Sequence, residues 1–326
     1  MGEQDQYVVG VDLGGTKIYS AVIDKQGKIL ATARKKTKAE LGFETVMERV
    51  ATCVQDAVTE AGVDFESQIL AIGMGSPGPL DLKEGKIIET PNLKWEDAPV
   101  KTRLESLLNK PVHIDNDCNV GVLGEYAYGA GHGAQHMLGL FIGTGIGGGV
   151  IIDGKLLHGF NENAGELGHI ILDPNGPECG CGVRGHLEAF ASRLAIEREI
   201  RIADIEGVPT SIFDDMEDKN DRLRSKKLAE AFAAEDPAVK RAIEKSATYV
   251  GYAIASLLNV FNPEVVVIGG GVVEAIGEAY VQIVRETAEK NVFAVALRNV
   301  RIVPAELEDD SAILGAAVLA WSSLQK

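Results

Sequence analysis

Cysteine is scarce. The chain has four in 326 residues, Cys53, Cys118, Cys179 and Cys181. They are too few for a disulfide-held scaffold of this length. Positive charge is also short: 32 Lys and Arg face 48 Asp and Glu, a net charge of -16. Such a surface repels nucleic acid and anionic membranes, so neither is expected as a partner. No apolar run reaches the ~18 residues of a membrane span. The first six residues, Met1 to Gln6, are polar and acidic and lack the pattern of a secretory leader. A cytoplasmic location is the expectation. What is present suits a globular α/β chain: hydrophobic residues are 45%, charged residues 25% and aromatics 6%. That is enough apolar material for two domains with cores of their own. Glycine, at 37 residues, is concentrated in a few clusters.

Along the chain, Tyr7 to Asp12, Ile18 to Ile23 and Lys28 to Ala33 read as an antiparallel meander with tight turns. From Phe43 the apolar period becomes helical through Val58, and Gly62 is a natural C-cap. Ile69 to Met74 reads as a buried strand, Val100 to Leu108 as a short amphipathic helix, and Val112 to Ile114 as a strand delivering Asn116 and Asp117. Met137 starts the pattern again with strand, glycine-rich turn and strand. Val9 to Lys17 and Leu140 to Gly148 share this layout, which predicts a duplicated βββα unit with a cleft between the halves. Helices follow at about Leu187 to Ile205 and from Pro237 to Leu258, separated by a charged stretch, Phe213 to Lys227. Val265 to Ile268 is a buried strand, and the small apolar helix Ser311 to Trp321 is expected to return to the first domain. The expected domains are 1–118, joined by 308–326, and 119–307.

Three glycine clusters lie beside strands. In Asp12-Leu13-Gly14-Gly15-Thr16-Lys17 the glycines let backbone N–H groups approach a phosphate. Thr16 and Lys17 add a hydroxyl and a cation, and Asp12 can orient a magnesium-bound water. Taken alone, the stretch reads as a β-hairpin turn. Its spacing is not that of a Walker A loop. Gly143-Thr144-Gly145-Ile146-Gly147-Gly148-Gly149 has five glycines that weaken any strand and call for close backbone approach. Gly269-Gly270-Gly271 opens a helix after a buried strand, a place for a nucleotide or for plain punctuation. Asn116-Asp117 closes a strand. It offers a carboxylate to take a hydroxyl proton and an amide suited to a sugar hydroxyl, but taken by itself it reads as an Asx-turn or helix N-cap.

His169, Cys179, Cys181 and His186 lie within 18 positions. Two thiols and two imidazoles are a tetrahedral zinc set with no open position, so the metal would be structural. It would fix the loop bearing Glu166 and the helix start bearing Glu188.

Together these motifs resemble the ROK family of sugar kinases and regulators, in its glucokinase branch, from Val8 to about Ala320. The resemblance implies a two-domain, actin-like ATPase fold, of the hexokinase, Hsp70 and ribonuclease H-like kind, with a cleft between duplicated βββαβα halves. It implies that Asp12, Gly14, Gly15, Thr16 and Lys17, then Gly143, Thr144 and Gly145, hold ATP phosphates with Mg²⁺. Gly270 and Gly271 correspond to the adenosine-side motif. Asp117 would be the catalytic base, and Gly78, Asn116, Asp117, Glu166, His169 and Glu188 the sugar-binding positions. His169, Cys179, Cys181 and His186 would bind structural Zn²⁺. The family usually carries a third Cys where this chain has His186. If that ring points away, three protein ligands remain.

The expected reaction is ATP-dependent phosphorylation of the glucose 6-hydroxyl. The alternatives are a kinase for N-acetylmannosamine, N-acetylglucosamine, mannose or fructose, and a non-catalytic sugar-binding regulator. Family repressors carry a DNA-binding domain before the first hairpin, whereas six residues precede Tyr7 here. The resemblance also implies a homo-oligomer, dimer or tetramer.

Overall fold

The computed structural model describes residues 5–90, 93–219 and 221–324. Strands β1 (Tyr7–Leu13), β2 (Lys17–Ile23), β3 (Ile29–Lys36) and β4 (Ile69–Ser76) are followed by a small antiparallel sheet. That sheet is formed by β5 (Leu80–Asp81), β6 (Lys86–Thr90) and β7 (Trp95–Ala98). Then come β8 (Val112–Asn116), β9 (Met137–Ile142), β10 (Ile146–Ile152), β11 (Lys155–Leu156), β12 (Val265–Gly269) and β13 (Arg301–Pro304). Two five-stranded sheets result, ordered β3-β2-β1-β4-β8 and β11-β10-β9-β12-β13. β1 is antiparallel to β2 and parallel to β4, which is parallel to β8. β9 is likewise antiparallel to β10 and parallel to β12, which is parallel to β13. The same order and the same pairing sense recur, so the chain is built from a repeated unit.

The chain forms two compact units. The first comprises Met1–Gly133, Leu156–Ala164 and Asp309–Lys326, the second Ala134–Lys155 and Gly165–Glu308. The first unit runs past position 118 because the helix Asp117–Tyr128 packs on the helix Ser311–Ser323, which in turn lies on β1 and β4. Glycines make this contact intimate. A Cβ on Gly10 of β1 would stand 2.0 Å from the Ile313 carbonyl oxygen, and one on Gly73 of β4 would stand 1.8 Å from that of Ala316. Between the helices, Gly124 faces Ser311 and Gly315 faces Val120 in the same way. On the other face of the sheet lies the helix Phe43–Ala61. It buries Val46, Met47, Val50, Val54 and Val58 at helical spacing, and ends where Gly62 takes φ 68° and donates to the Val58 and Thr59 carbonyls.

In the second unit the helix expected over 187–205 is two helices, Leu187–Ala191 and Arg193–Ile205. Ser192 breaks it by capping the second, where its hydroxyl accepts from the Ala195 N–H. The seven-residue glycine turn is also shorter than its composition suggests. β10 begins at Ile146, so Gly147, Gly148 and Gly149 lie in the strand opposite Phe141, Leu140 and Gly139. A side chain at Gly148 would collide with Leu167, 2.8 Å away. The charged stretch 213–227 ends in the first turn of the helix Ser225–Ala233. Among the described residues no helix is long and apolar enough to cross a membrane.

Candidate active site

In the first unit, parallel pairing brings three strand ends to one edge. Asp12 of β1 aligns with Gly75 of β4, and Gly75 aligns with Asp115 of β8. Ligands of open α/β sheets bind outside the carboxyl ends of such strands. Asn116 caps the helix that follows: its Oδ1 accepts from the N–H groups of Cys118 at 2.9 Å and Asn119 at 3.3 Å. The N-cap and binding readings of this residue are therefore compatible. The cap uses the carbonyl oxygen and leaves Nδ2 to donate, and a Cβ on Gly78 would sit 3.3 Å from that nitrogen. Asp117 is the first helical residue. Its Oδ1 accepts from the Cys118 N–H at 2.8 Å, at the helix end where the dipole favours negative charge.

Asp115 holds this turn in place, although its sequence motif points only to its neighbours. Its buried carboxylate accepts from the Asn116 N–H at 2.7 Å, from Asn119 Nδ2 at 2.9 Å and from His158 Nε2 at 2.7 Å. The bond from Asp115 holds the His158 imidazole pKa above its usual range. The one sequence signal was an Asp at the end of an apolar strand, two positions before the expected base. Its partner lies 43 positions away.

The first hairpin closes through the Gly14 N–H, which donates to the Lys17 carbonyl at 2.9 Å, leaving Gly15 and Thr16 at the tip. Thr37, a buried residue that no motif marks, braces it. Its N–H donates to the Thr16 carbonyl at 2.9 Å and its hydroxyl to that of Gly14 at 2.7 Å. Lys17 pairs with Asp309 at 3.2 Å. Asp12 has its pKa raised to about 6, first by burial and then by the Asp117 carboxylate, with a smaller push from Asp309 and an opposing pull from Lys17. Two carboxylates 105 positions apart in sequence thus feel each other's charge. A divalent cation would relieve that repulsion, so these residues fit Mg²⁺.

In the second unit, Gly143 to Gly145 form a tight turn closed by the Gly143 N–H donating to the Gly145 carbonyl at 2.9 Å. Glu188 fixes it from below: Oε2 accepts the Ile146 N–H at 2.9 Å, and a Cβ on Gly145 would stand 2.3 Å from that oxygen. Arg193 ties the Thr144 hydroxyl at 2.9 Å. Gly269 pairs with Phe141, so the third glycine cluster reaches the same edge. Gly270 takes φ +87°, where a Cβ would also strike the backbone of Ile142, and caps the helix Gly271–Ile276.

The four expected metal ligands gather in this unit. The donor atoms of His169, Cys179, Cys181 and His186 all lie within 4.8 Å of one another. His186 points into the group: its Nδ1 is 3.1 Å from His169 Nδ1 and 3.2 Å from Cys181 Sγ, while Cys179 Sγ is 3.8 Å from His169 Nδ1. A zinc tetrahedron with bonds of ~2.0 Å to nitrogen and ~2.3 Å to sulfur has edges of ~3.3–3.8 Å. The donor set and its spacing fit that ion. Burial pushes the Cys179 thiol pKa well up, and its Sγ donates to Glu188 Oε1 at 3.2 Å. Both Glu188 oxygens are thus engaged within the unit. Glu166 is exposed, with His169 Nε2 at 4.0 Å.

Residues 8–323 match the ROK family. The chain is 35% identical to a glucokinase of Thermotoga maritima over 95% of its own length and 96% of that protein's. It resembles the crystal structure of a ROK hexokinase from Thermus thermophilus, with a TM-score of 0.83 and 36% identity over 98% of this chain and 99% of that one. It also resembles a ROK family glucokinase from Streptomyces griseus in complex with glucose and AMPPNP. There the TM-score is 0.84 and the identity 31%, over 97% of this chain and 99% of that one.

Proposed function

The chain belongs to the ROK family, and from that membership we propose that it is an ATP-dependent glucokinase, transferring a phosphoryl group to the 6-hydroxyl of glucose. Its α/β fold is the actin-like ATPase fold of these sugar kinases. The observation that carries the reading is the approach of Asp12, beside the first glycine hairpin, to Asp117, at the start of a capped helix: Asp12 pairs with Gly75, where a Cβ would stand 3.5 Å from the Asp117 Cα. A phosphate-binding hairpin and a general base need to be close, and the register of β1, β4 and β8 accounts for how they come to be so.

In this reading Asp117 accepts the 6-hydroxyl proton as that oxygen attacks the γ-phosphorus, and the leaving group is ADP. Asp115 and the helix N-terminus orient the base. Asn116 donates through Nδ2 to a sugar hydroxyl, next to Gly78, which leaves room for it. Glu166, His169 and Glu188 supply further sugar contacts. The backbone N–H groups of Gly14, Gly15, Thr16, Gly143, Thr144 and Gly145, with Lys17, hold the phosphates. Gly270 and Gly271 border the adenosine. Mg²⁺, held near Asp12, would neutralise phosphate charge. Zn²⁺ on His169, Cys179, Cys181 and His186 would hold the loop of Glu166 and the helix start of Glu188 together. A cytoplasmic homo-oligomer, dimer or tetramer, completes the proposal. The test is ADP release by the purified protein over glucose, mannose, fructose, N-acetylglucosamine and N-acetylmannosamine. Glucose should give the highest kcat/KM. Higher kcat/KM with an amino sugar would reassign the substrate, and no turnover with any would overturn the reading.

A further inference from the structure

Arg193 is not part of any glycine motif, yet it joins one to a cavity wall. Its backbone N–H donates to the Gly143 carbonyl at 2.9 Å, and its Nη2 donates to the Thr144 hydroxyl at 2.9 Å. Its Nη1 donates to Glu197 Oε1 at 2.6 Å and to the Leu223 carbonyl at 2.8 Å. The side chain is only 14% exposed. A partly buried guanidinium anchored by three short hydrogen bonds has little freedom to leave this pose.

Arg193 itself lines a cavity of about 790 Å³, together with Asp221, Arg222, Arg224, Ser225 and Lys227, and Leu223, which it holds, lies in sequence between two of these lining residues. Four cations against one carboxylate, Asp221, around one cavity stand out in a chain of net charge -16. Lys227 pairs with Asp215 and Arg193 with Glu197. Arg222 and Arg224 form no ion pair among the described residues. The wall also reaches the third glycine cluster, since a Cβ on Gly271 would stand 3.5 Å from the Ser225 hydroxyl. Local positive potential of this kind is what an acidic protein needs to admit a polyanion.

We propose that Arg193 is the positioning residue of the donor site, holding the Gly143–Thr144 turn in register with a cationic cavity that receives the nucleotide. This rests on the reading of the protein as an ATP-dependent kinase and adds a residue to it. Arg193 touches no reacting atom; it acts through Thr144 and Gly143. Without it the turn's N–H groups and the cavity wall lose their common anchor, and donor binding weakens while sugar binding does not.

The experiment compares wild type, Arg193→Ala and Arg193→Lys, with MgADP binding measured by calorimetry and KM measured separately for ATP and glucose. Loss of charge-assisted bonds at the turn should raise the MgADP Kd and the ATP KM by ~tenfold or more in Arg193→Ala. The glucose KM should stay within about twofold, because only uniform donor binding is removed. Arg193→Lys keeps the charge and cannot span Thr144, Glu197 and Leu223 together, so it should fall between the two. Should Arg193→Ala not fold, the Lys variant decides: a raised ATP KM upholds the role and a wild-type value overturns it. An unchanged MgADP Kd in a folded Arg193→Ala variant, or equal rises in both KM values, overturns the inference while leaving an active wild-type kinase intact. A wild-type protein that phosphorylates no sugar refutes instead the reading beneath it.

Discussion

Asp12→Asn tests the electrostatics of the candidate site without relying on turnover. Asp12 has its pKa raised from 3.8 to about 6 by burial and by the carboxylates of Asp117 and Asp309. A raised acid pKa means that the folded state holds the proton more tightly than the unfolded one. The associated stability is fully present below about 3.8 and is lost as pH rises through about 6. A rise of that size corresponds to ~3 kcal/mol, at ~1.4 kcal/mol for each tenfold change in proton affinity. Asp12 is only half-buried, so solvent screening reduces this to ~1–2 kcal/mol. Asparagine has the same shape and no charge. At about pH 8 the variant should therefore be more stable than wild type by ~1–2 kcal/mol, a rise of a few degrees in Tm. At about pH 4.5 the gain should shrink to roughly a third, because Asp12 is then protonated in the folded protein. Asp117→Asn removes one cause of the raised pKa, so the double variant should gain less than the sum of the two singles. Urea and thermal unfolding at both pH values provide the measurement. A variant less stable than wild type at pH ~8, or a difference that ignores pH, would refute the raised pKa of Asp12, and strict additivity in the double variant would refute its coupling to Asp117.

Metal analysis of the purified protein should find about one zinc per chain, as expected for a closed four-ligand site, and Cys179→Ser should lose most of it. A fully metal-free, active protein would contradict this. Gly145→Ala should raise the ATP KM or abolish activity, because the added methyl would overlap Glu188 Oε2, 2.3 Å away, and displace the Ile146 contact. Normal ATP kinetics would show that the turn yields. His158 has its pKa raised by the bond from Asp115, so the stability it contributes is fully present below about 6.5 and is lost as pH rises through its higher folded value. His158→Gln should accordingly be more destabilising at pH ~5.5 than at pH ~9 in urea unfolding, and equal losses would contradict the linkage.

Much of the scaffold was legible because local pattern and tertiary role coincide. The apolar run Tyr7 to Asp12, the helical stripe from Phe43 to Val58 and the cap at Gly62 each carry one signal that the fold uses. The strand glycines were harder to read. Gly10 and Gly73 look like weaknesses in β1 and β4 until the helix Ser311–Ser323 is laid against them. Gly147 and Gly148 read as turn because the reason for them, the facing strand and the contact of Gly148 with Leu167, is remote in sequence. Ser192 was hidden because an apolar period runs through it while its hydroxyl ends one helix and starts another. The residues beneath the site were the least visible. Thr37, Asp115, His158 and Arg193 act through a few hydrogen bonds to residues remote in sequence, which leave no periodicity behind.

The central claim is that Asp117 is the base. Asp117→Asn, assayed with glucose and saturating ATP, should lower kcat by ~10²-fold or more and change the glucose KM far less. The substitution keeps the shape of the capped turn and removes only the proton acceptor. Turnover near the wild-type rate would contradict the account.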